Sequence, residues 1–163
     1  MIKLTFFVGA TLLLSACSLN VPGLTSGTDV PLEIKGFHTG DSENVCPSKD
    51  KIYKKGMVAI CDAKIDSIAN MQVKSSNLYF YDGKLEYIHI VMSQPEGFRQ
   101  YTVLSALTKK FGPPARGGVP RTHIWTNNGN LMALNEIKGT LLLAGKNVNK
   151  IESYLSAQDS KDL

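Results

Sequence analysis

One tight turn constrains this chain more than any other stretch, because long strand-like runs flank it on both sides. The turn is Asp82-Gly83, which separates the runs Met71–Tyr81 and Lys84–Met92. Asp-Gly is a preferred pair for the two-residue type I′ turn, whose twist matches that of the flanking strands. The sequence therefore predicts a long antiparallel hairpin against which other elements pack.

The register of this hairpin follows from the turn. It pairs Phe80 with Leu85 and Leu78 with Tyr87 on the more apolar face, which we expect to cover the core. His89 shares that face in this register, and we interpret it as a half-buried structural histidine. A catalytic role for His89 is the less favoured alternative.

A second hairpin is predicted at Asn128-Gly129, another preferred type I′ pair. Its register pairs Trp125 with Met132 and His123 with Leu134. Trp125 is the only tryptophan of the chain, and we expect it to anchor the core face of the sheet.

The remaining elements alternate between short strands and helices. One helix presents an apolar stripe at helical spacing, formed by Phe98, Tyr101, Leu104, Leu107 and Phe111. In chain order, the elements predicted besides the two hairpins are a strand Leu32–Phe37, a short helix capped by Asp41 or Ser42, a loop over 47–56, strands within Met57–Ile65, a helix from the capping box Ser93–Glu96 to Phe111 that ends at Gly112, a turn at Lys138-Gly139 into the strand Thr140–Ala144, and a helix from Val148 to Leu155 capped by Asn147. This order predicts a two-layer α+β fold, an antiparallel β-sheet of hairpins and a meander with helices packed on one face.

The N-terminus has the three parts of an export signal. Lys3 is followed by the apolar run Leu4–Leu14 and by the small residues Ser15 and Ala16. About eleven apolar residues are too few for a bilayer core, which needs roughly 20. We therefore expect residues 1–16 to be a cleaved signal peptide.

Leu14-Ser15-Ala16-Cys17 resembles the lipobox of bacterial lipoproteins. The resemblance implies cleavage before Cys17, a thioether-linked diacylglycerol on Cys17 and acylation, typically with palmitate, of the new amino group. Two or three acyl chains anchor a protein stably, whereas a single chain binds reversibly. Because Ser18 and not aspartate follows the cysteine, the resemblance also favours the periplasmic face of the outer membrane.

The domain boundaries follow from composition. Ser18 to Val30 is dominated by small and polar residues, chiefly serine, threonine and glycine, which predicts a flexible tether. The predicted divisions are a signal peptide over 1–16, a tether over 17–30, a single α+β periplasmic domain over 31–157 and a frayed tail over 158–163.

The cysteine count suggests a disulfide. If Cys17 is acylated, Cys46 and Cys61 remain as a pair in an oxidising compartment, and we expect them to be linked. Two separately buried thiols are the alternative. The chain has no CxxC and three widely spaced histidines, so we expect no metal site and no cofactor.

Charge argues against one class of partner. The formal net charge is +4, and Lys3 contributes one of those charges. The basic residues are scattered, so we expect no nucleic-acid partner. The loop Ala115–Pro120, with Arg116 between ordered elements, is the segment that we expect to be free to contact a partner.

A second resemblance concerns the mature domain. Phe111-Gly112-Pro113, a loop and then Trp125 resemble the passage from helix into sheet in the small outer-membrane lipoproteins that assist β-barrel assembly. Gly40-Asp41-Ser42 through Val45 resembles the helix start of the same family. β-Lactamase-inhibitor-like domains share such modules, so the resemblance implies a fold type more than a role.

These observations favour a membrane-anchored periplasmic lipoprotein that acts as a non-enzymatic binding module in the cell envelope, with an envelope protein as its partner. An inhibitor or exclusion factor directed at a lysozyme, a phage or a conjugation apparatus is the alternative. An enzyme is less favoured, because the chain has no GxSxG or HExxH motif and His38 beside Asp41 is a commonplace loop pair.

Overall fold

The computed structural model describes residues 27–48, 52–93 and 100–159. Most of the sequence-predicted strands are present. The elements are β1 (Tyr53–Lys55), β2 (Val58–Asp62), β3 (Ser67–Ile68), β4 (Met71–Tyr81), β5 (Lys84–Met92), α1 (Gln100–Phe111), β6 (Ala115–Arg116), β7 (Thr122–Asn127), β8 (Asn130–Asn135), β9 (Thr140–Ala144) and α2 (Val148–Asp159). Three predicted features lie wholly or partly outside the described residues. They are Cys17, Phe98 and the capping box Ser93–Glu96, of which only Ser93 is described.

The strands form one large antiparallel sheet in the order β1-β2-β4-β5-β9-β8-β7-β6, with β3 paired to the start of β4. After β5 the chain forms β6, β7 and β8 at the far edge of the sheet. It then returns to the centre, where β9 pairs with β5. This architecture confirms the predicted α+β class with an antiparallel sheet of hairpins and a meander.

One face of the sheet covers the main core. Trp125, Phe80 and Leu143 on this face are fully buried, and the indole N–H of Trp125 donates to the Gly112 carbonyl at 2.8 Å. Trp125 therefore anchors the core as predicted. The same core contains Leu32 and Ile34 from the N-terminal segment.

Helix α1 lies on this core face. Its buried side chains are Val103, Leu107 and Phe111, spaced four residues apart, and Gly112 ends the helix at a φ of +81°. Tyr101 is 67% exposed, so its assignment to the apolar stripe was wrong. Two residues before Val103 correspond to about 200° around a helix, which turns Tyr101 away from the sheet.

The first hairpin has the predicted turn, since φ is +50° at Asp82 and +72° at Gly83. Phe80 pairs with Leu85 as expected, but Tyr79 then pairs with Tyr87, which leaves Glu86 as an extra residue on β5. This β-bulge shifts the pairs from Tyr79–Tyr87 to Ser75–Val91 by one position, and a second irregularity beside Lys74 restores the original register at Val73–Met92. Leu78 thus pairs with Ile88 instead of Tyr87.

The bulge also reverses the placement of His89. His89 pairs with Asn77, beside the buried pair Leu78 and Ile88. Because successive strand residues point to opposite faces, His89 lies on the face opposite the core. Its predicted position on the core face is therefore wrong, although its side chain is half-buried.

The second hairpin follows the prediction. Trp125 pairs with Met132 and His123 with Leu134, and no register shift separates the two pairs. The turn over residues 136–139 leads into β9 at Thr140, also as predicted.

Helix α2 lies on the other face of the sheet. Its Lys150 ammonium stands 5.3 Å from the Tyr81 ring, and Tyr81 follows Phe80, whose side chain is in the core. Both helices were expected on one face of the sheet. α1 packs on the core face, whereas α2 contacts β4 from the opposite face. Alternation of side chains along β4 is the physical reason. α2 also includes Gln158, which had been assigned to the tail.

The N-terminal part is less regular than predicted. Leu32–Phe37 forms a single bridge between Ile34 and Phe37 instead of a strand, because Lys35 and Gly36 turn the chain at φ values of +53° and +84°. The short helix is one 3-10 turn, Glu43–Val45, with Ser42 at its N-cap position. The predicted loop over 47–56 contains β1.

A disulfide joins this part to the sheet. Cys46 follows the 3-10 turn, Cys61 lies in β2, their Cα atoms are 6.3 Å apart, and both are buried. The predicted pair is thus confirmed. Gly27 and Thr28, assigned to the tether, are docked on β7, where the Thr28 N–H donates to the Thr126 carbonyl at 3.0 Å. The folded unit therefore starts by Gly27.

Candidate binding surface

The face of the sheet opposite the core carries aromatic side chains that α2 leaves partly open. Tyr79, Tyr87 and His89 lie there in sequence along β4 and β5. The rings of Tyr79 and Tyr87 are 5.3 Å apart, and the His89 ring stacks on Tyr87 at 6.0 Å with an angle of 10°. Three flat, half-buried rings thus form a continuous platform.

The platform continues across three more strands. The register places His89, Leu142, Ala133 and Ile124 side by side on β5, β9, β8 and β7. Leu142 and Ile124 are half-buried, and Ala133 between them is buried. We call Tyr79, Tyr87, His89, Leu142, Ala133 and Ile124 the outer sheet face. It is apolar and contiguous, and it is less buried than the core face.

Partial burial sets the protonation of this surface. Desolvation raises the pKa of the Tyr79 hydroxyl. Desolvation also raises the pKa of Tyr87, with smaller contributions from Tyr79 and Glu152. Burial lowers the pKa of the His89 imidazole, since the charged form is the one that loses hydration. At neutral pH the three side chains are therefore uncharged, which suits an apolar contact.

Helix α2 covers one end of the platform. Ile151 is buried, and the Tyr154 hydroxyl lies so close to Gly56 that a Cβ there would be 2.3 Å away. Glu152 is the acidic neighbour of Tyr87. The helix thus packs over β4 near the first hairpin turn, away from the part of the outer sheet face on β7, β8 and β9.

A cleft of about 400 Å³ opens at the edge of the sheet beside β6. We call it the arginine cleft. It is lined by Arg116, Gly117, Gly118, Val119, Pro120, Arg121, Thr122, His123 and Glu136. It includes most of the loop Ala115–Pro120 that the sequence indicated as a contact segment.

The cleft has a shaped backbone. A Cβ at Gly117 would lie 3.1 Å from the side chains of Ile124 and Thr122, so the loop passes tightly over β7. Arg121 has a φ of +54°, a conformation that side chains rarely adopt and that costs of order 1–3 kcal/mol. His123 Nε2 and Glu136 Oε1 are 2.7 Å apart at the inner wall.

The surroundings of His38 bring one histidine and two acids together. His38 lies near two carboxylates, with Nε2 3.5 Å from Glu33 and Nδ1 3.9 Å from Asp41, all at the surface. No nucleophile accompanies them among the hydrogen bonds of the described residues. The described part of the chain also has no group of three or more histidine, cysteine or acidic residues that could hold a metal ion.

Sequence reasoning missed the outer sheet face because it missed the bulge at Glu86. The signal that was available is the alternation Tyr87, His89 and Val91 along β5, which shares one face once the register has shifted. The loop of the arginine cleft was found, because glycines and a proline mark it, but Arg121 and the His123–Glu136 contact were not.

In the residues that the structure describes, no helix has the length and apolar character needed to cross a bilayer. Cys17, the predicted lipidation site, lies outside those residues.

Comparison with known proteins gives one match. No curated protein and no solved structure matches the chain significantly. The TP0088 domain model matches residues 55–153, which run from β1 into α2 and contain the outer sheet face and the arginine cleft. Because this match spans more than half of the sequence, the chain belongs to the TP0088 domain family.

Proposed function

We propose that this protein is an exported lipoprotein of the bacterial cell envelope, anchored through Cys17 at the periplasmic face of the outer membrane. In this proposal it is a non-enzymatic binding module, and its outer sheet face binds another envelope protein. The anchor rests on the lipobox-like stretch Leu14–Cys17. The binding role rests on the geometry of the sheet.

The observation that carries the binding role is the row of mostly apolar, mostly half-buried side chains from Tyr79 to Ile124. Apolar surface of this kind gains free energy when a partner removes it from water, at about 25 cal/mol per Å². Tyrosine is also enriched where proteins meet, because its ring is apolar and its hydroxyl can hydrogen-bond. A surface spanning five strands offers the flat, rigid area that a protein partner needs.

Site-specific photocrosslinking in cells tests this role. A photoreactive amino acid at Leu142, in the middle of the outer sheet face, should give one discrete crosslinked species that is absent when the same group replaces Lys55 on exposed β1. Introducing His89→Glu beside it should reduce the crosslink at least ten-fold, since burying a carboxylate on an apolar contact is costly.

Two controls make the test decisive. His89→Glu must leave the thermal midpoint of the purified protein within a few degrees of the unmodified chain, so that loss of the crosslink reports on the surface. Equal crosslinking from Leu142 and Lys55, or a crosslink that His89→Glu leaves intact, would reject the outer sheet face as the contact.

The anchor is tested separately by mass spectrometry of the protein purified from membranes. A mature chain that starts at Cys17 and carries the mass of a diacylglycerol and an acyl chain is the expected result. A mature chain without the added lipid mass would contradict the anchor and leave the binding role to the crosslinking experiment.

A further inference from the structure

The arginine cleft occupies one end of the sheet, where two loops meet. Residues 117–121 connect β6 to β7, and residues 136–139 connect β8 to β9. The Glu136 N–H donates to the Arg121 carbonyl at 3.0 Å, which holds the loops together. Each loop presents an aliphatic side chain to solvent, with Val119 58% and Ile137 59% exposed.

This end also carries an excess of positive charge. Arg116, Arg121 and Lys138 are all exposed. Among the described residues, none of the ion pairs involves either arginine, and the acid that lines the cleft, Glu136, is hydrogen-bonded to His123. Basic side chains beside exposed aliphatic ones are the composition that binds the headgroup region of a bilayer, where cations meet phosphates and aliphatic groups enter the acyl boundary.

The position of the N-terminal segment suits such an arrangement. Gly27 pairs with Thr126 in a parallel bridge, so the chain from Gly27 onwards runs in the direction of β7, away from the arginine cleft at the start of that strand. Cys17 precedes Gly27 by ten positions, a contour of at most about 35 Å. From Thr126 back to Thr122 is about 13 Å along the strand. A lipid on Cys17 would therefore be attached through a segment long enough to let the cleft meet the bilayer surface.

We propose that the end of the domain bearing the arginine cleft docks onto the anionic headgroups of the membrane that holds the anchor. Arg116 and Arg121 contact phosphates, and Val119 and Ile137 enter the interface. This inference rests on the proposed lipidation of Cys17. Since the strands then run roughly along the membrane normal, the outer sheet face points sideways and stays accessible to a protein partner.

Fluorescence of the lipidated full chain in vesicles tests the docking. Val119→Cys carries an environment-sensitive dye, and Met57→Cys, 50% exposed near the first hairpin turn at the opposite end, is the matched control. We expect a blue shift at position 119, larger in phosphatidylcholine vesicles that contain phosphatidylglycerol than in phosphatidylcholine alone. High salt should reverse that excess, because ions screen surface charge.

Charge variants assign the effect. Arg116→Gln with Arg121→Gln should weaken docking about 25-fold, from roughly five-fold for each arginine near an anionic surface. Lys55→Gln with Lys84→Gln, which removes the same charge at the far end of the sheet, should leave it unchanged. Equal loss in both pairs would overturn the role of the cleft.

The remaining outcomes are also decisive. A protein that floats with the vesicles but shows no shift at position 119 keeps its anchor and overturns the docking alone. A shift caused by an added acidic peptide and not by anionic vesicles overturns it in favour of a protein ligand. A protein that does not float with vesicles at all lacks the anchor, which overturns the anchoring proposal and this inference with it.

Discussion

Glu86 is the residue that determines where the second helix begins. It is the extra residue of the bulge in β5, and its side chain is 8% exposed. Its carboxylate accepts hydrogen bonds from the Asn147 N–H at 3.1 Å and from the Asn147 side chain at 2.9 Å. The Glu86 carbonyl accepts from the Gly145 N–H at 2.7 Å. One bulged residue thus binds the whole connection from β9 to α2.

Replacing this carboxylate should destabilise the domain. Glu86→Ala leaves both Asn147 donors without their acceptor in a partly buried position, which costs about 1–3 kcal/mol in the free energy of unfolding. Glu86→Gln keeps one carbonyl oxygen and should lose less. Urea unfolding followed by circular dichroism measures both. Equal stability of Glu86→Ala and the unmodified protein would mean that water replaces the carboxylate without cost.

His89 should make stability fall in mild acid. Its pKa is lowered in the folded state by burial, whereas the unfolded value is about 6.5. The unfolded chain therefore binds more protons between these two values, so stability is present above about pH 6.5 and is lost as pH decreases from there towards the folded pKa. Glu33, whose pKa is also lowered, chiefly by the hydrogen bond from Lys110, acts only in the lower range of carboxylates.

The variant His89→Gln isolates that effect. Its free energy of unfolding should change less between pH 7 and pH 5 than that of the unmodified protein, because the titrating ring is gone. Identical slopes for His89→Gln and the unmodified protein would contradict a neutral, desolvated His89.

At the scale of elements, the turn sequences predicted which strands pair more reliably than apolar alternation predicted individual strands. Asp82-Gly83 and Asn128-Gly129 both adopt positive φ at their two residues and join the expected strands. Pairing next to each turn was correct, because a two-residue turn fixes the register locally. The turn did not predict the bulge at Glu86, whose carboxylate is hydrogen-bonded to Asn147, sixty-one positions away in the sequence.

Long-range contacts explain the other differences. The apolar alternation of Leu32–Phe37 predicts a strand. In the structure, Leu32 and Ile34 are instead buried in the core that also contains side chains of α1. Alternation alone places Tyr87, His89 and Val91 on one face, but the bulge decides that this face is the one opposite the core. The loop of the arginine cleft could be located from its glycines and proline. The loop between β8 and β9, which contributes Glu136 to the cleft, could not, because its position depends on how these strands pack.

The packing of α2 against the turn between β1 and β2 depends on a glycine. Gly56 has a φ of +58°, and a Cβ there would lie 2.3 Å from the Tyr154 hydroxyl. Gly56→Ala should therefore cost about 1 kcal/mol for the backbone conformation and about 1–3 kcal/mol more for overpacking. Gly83→Ala, with a φ of +72° and no atom within 4 Å, isolates the first cost. If chemical denaturation gives both variants the same stability, Tyr154 does not occupy this position.

The disulfide holds the irregular N-terminal segment to the sheet. Cys46 and Cys61 close a loop with a sequence separation of 15. Changing both to serine should lower the free energy of unfolding by about 3 kcal/mol, the chain-entropy value for a loop of this size. Chemical denaturation with and without reductant measures it, and reductant should affect the unmodified protein alone. A double variant as stable as the oxidised protein would contradict this account.

At the scale of the whole molecule, the sheet separates two tasks. α1, the N-terminal segment and the disulfide close the core face. The opposite face remains partly open, and the arginine cleft lies at one end of the strands. A sheet built this way can stand on a membrane by its end and present a flat side to a partner, since neither surface contributes to the main core.

Cys17→Ser tests whether anchoring and folding are independent. The described domain begins by Gly27 and has its own core and disulfide, so loss of the proposed lipid should not unfold it. Each buried CH₂ of an acyl chain contributes about 0.8 kcal/mol to membrane binding, and under the proposed anchoring, removing all of them should move the protein into the soluble fraction. Ser18→Ala keeps the cysteine and should stay with the membrane. Thermal midpoints should agree within a few degrees, and Cys17→Ser that still sediments with membranes would place the anchor elsewhere.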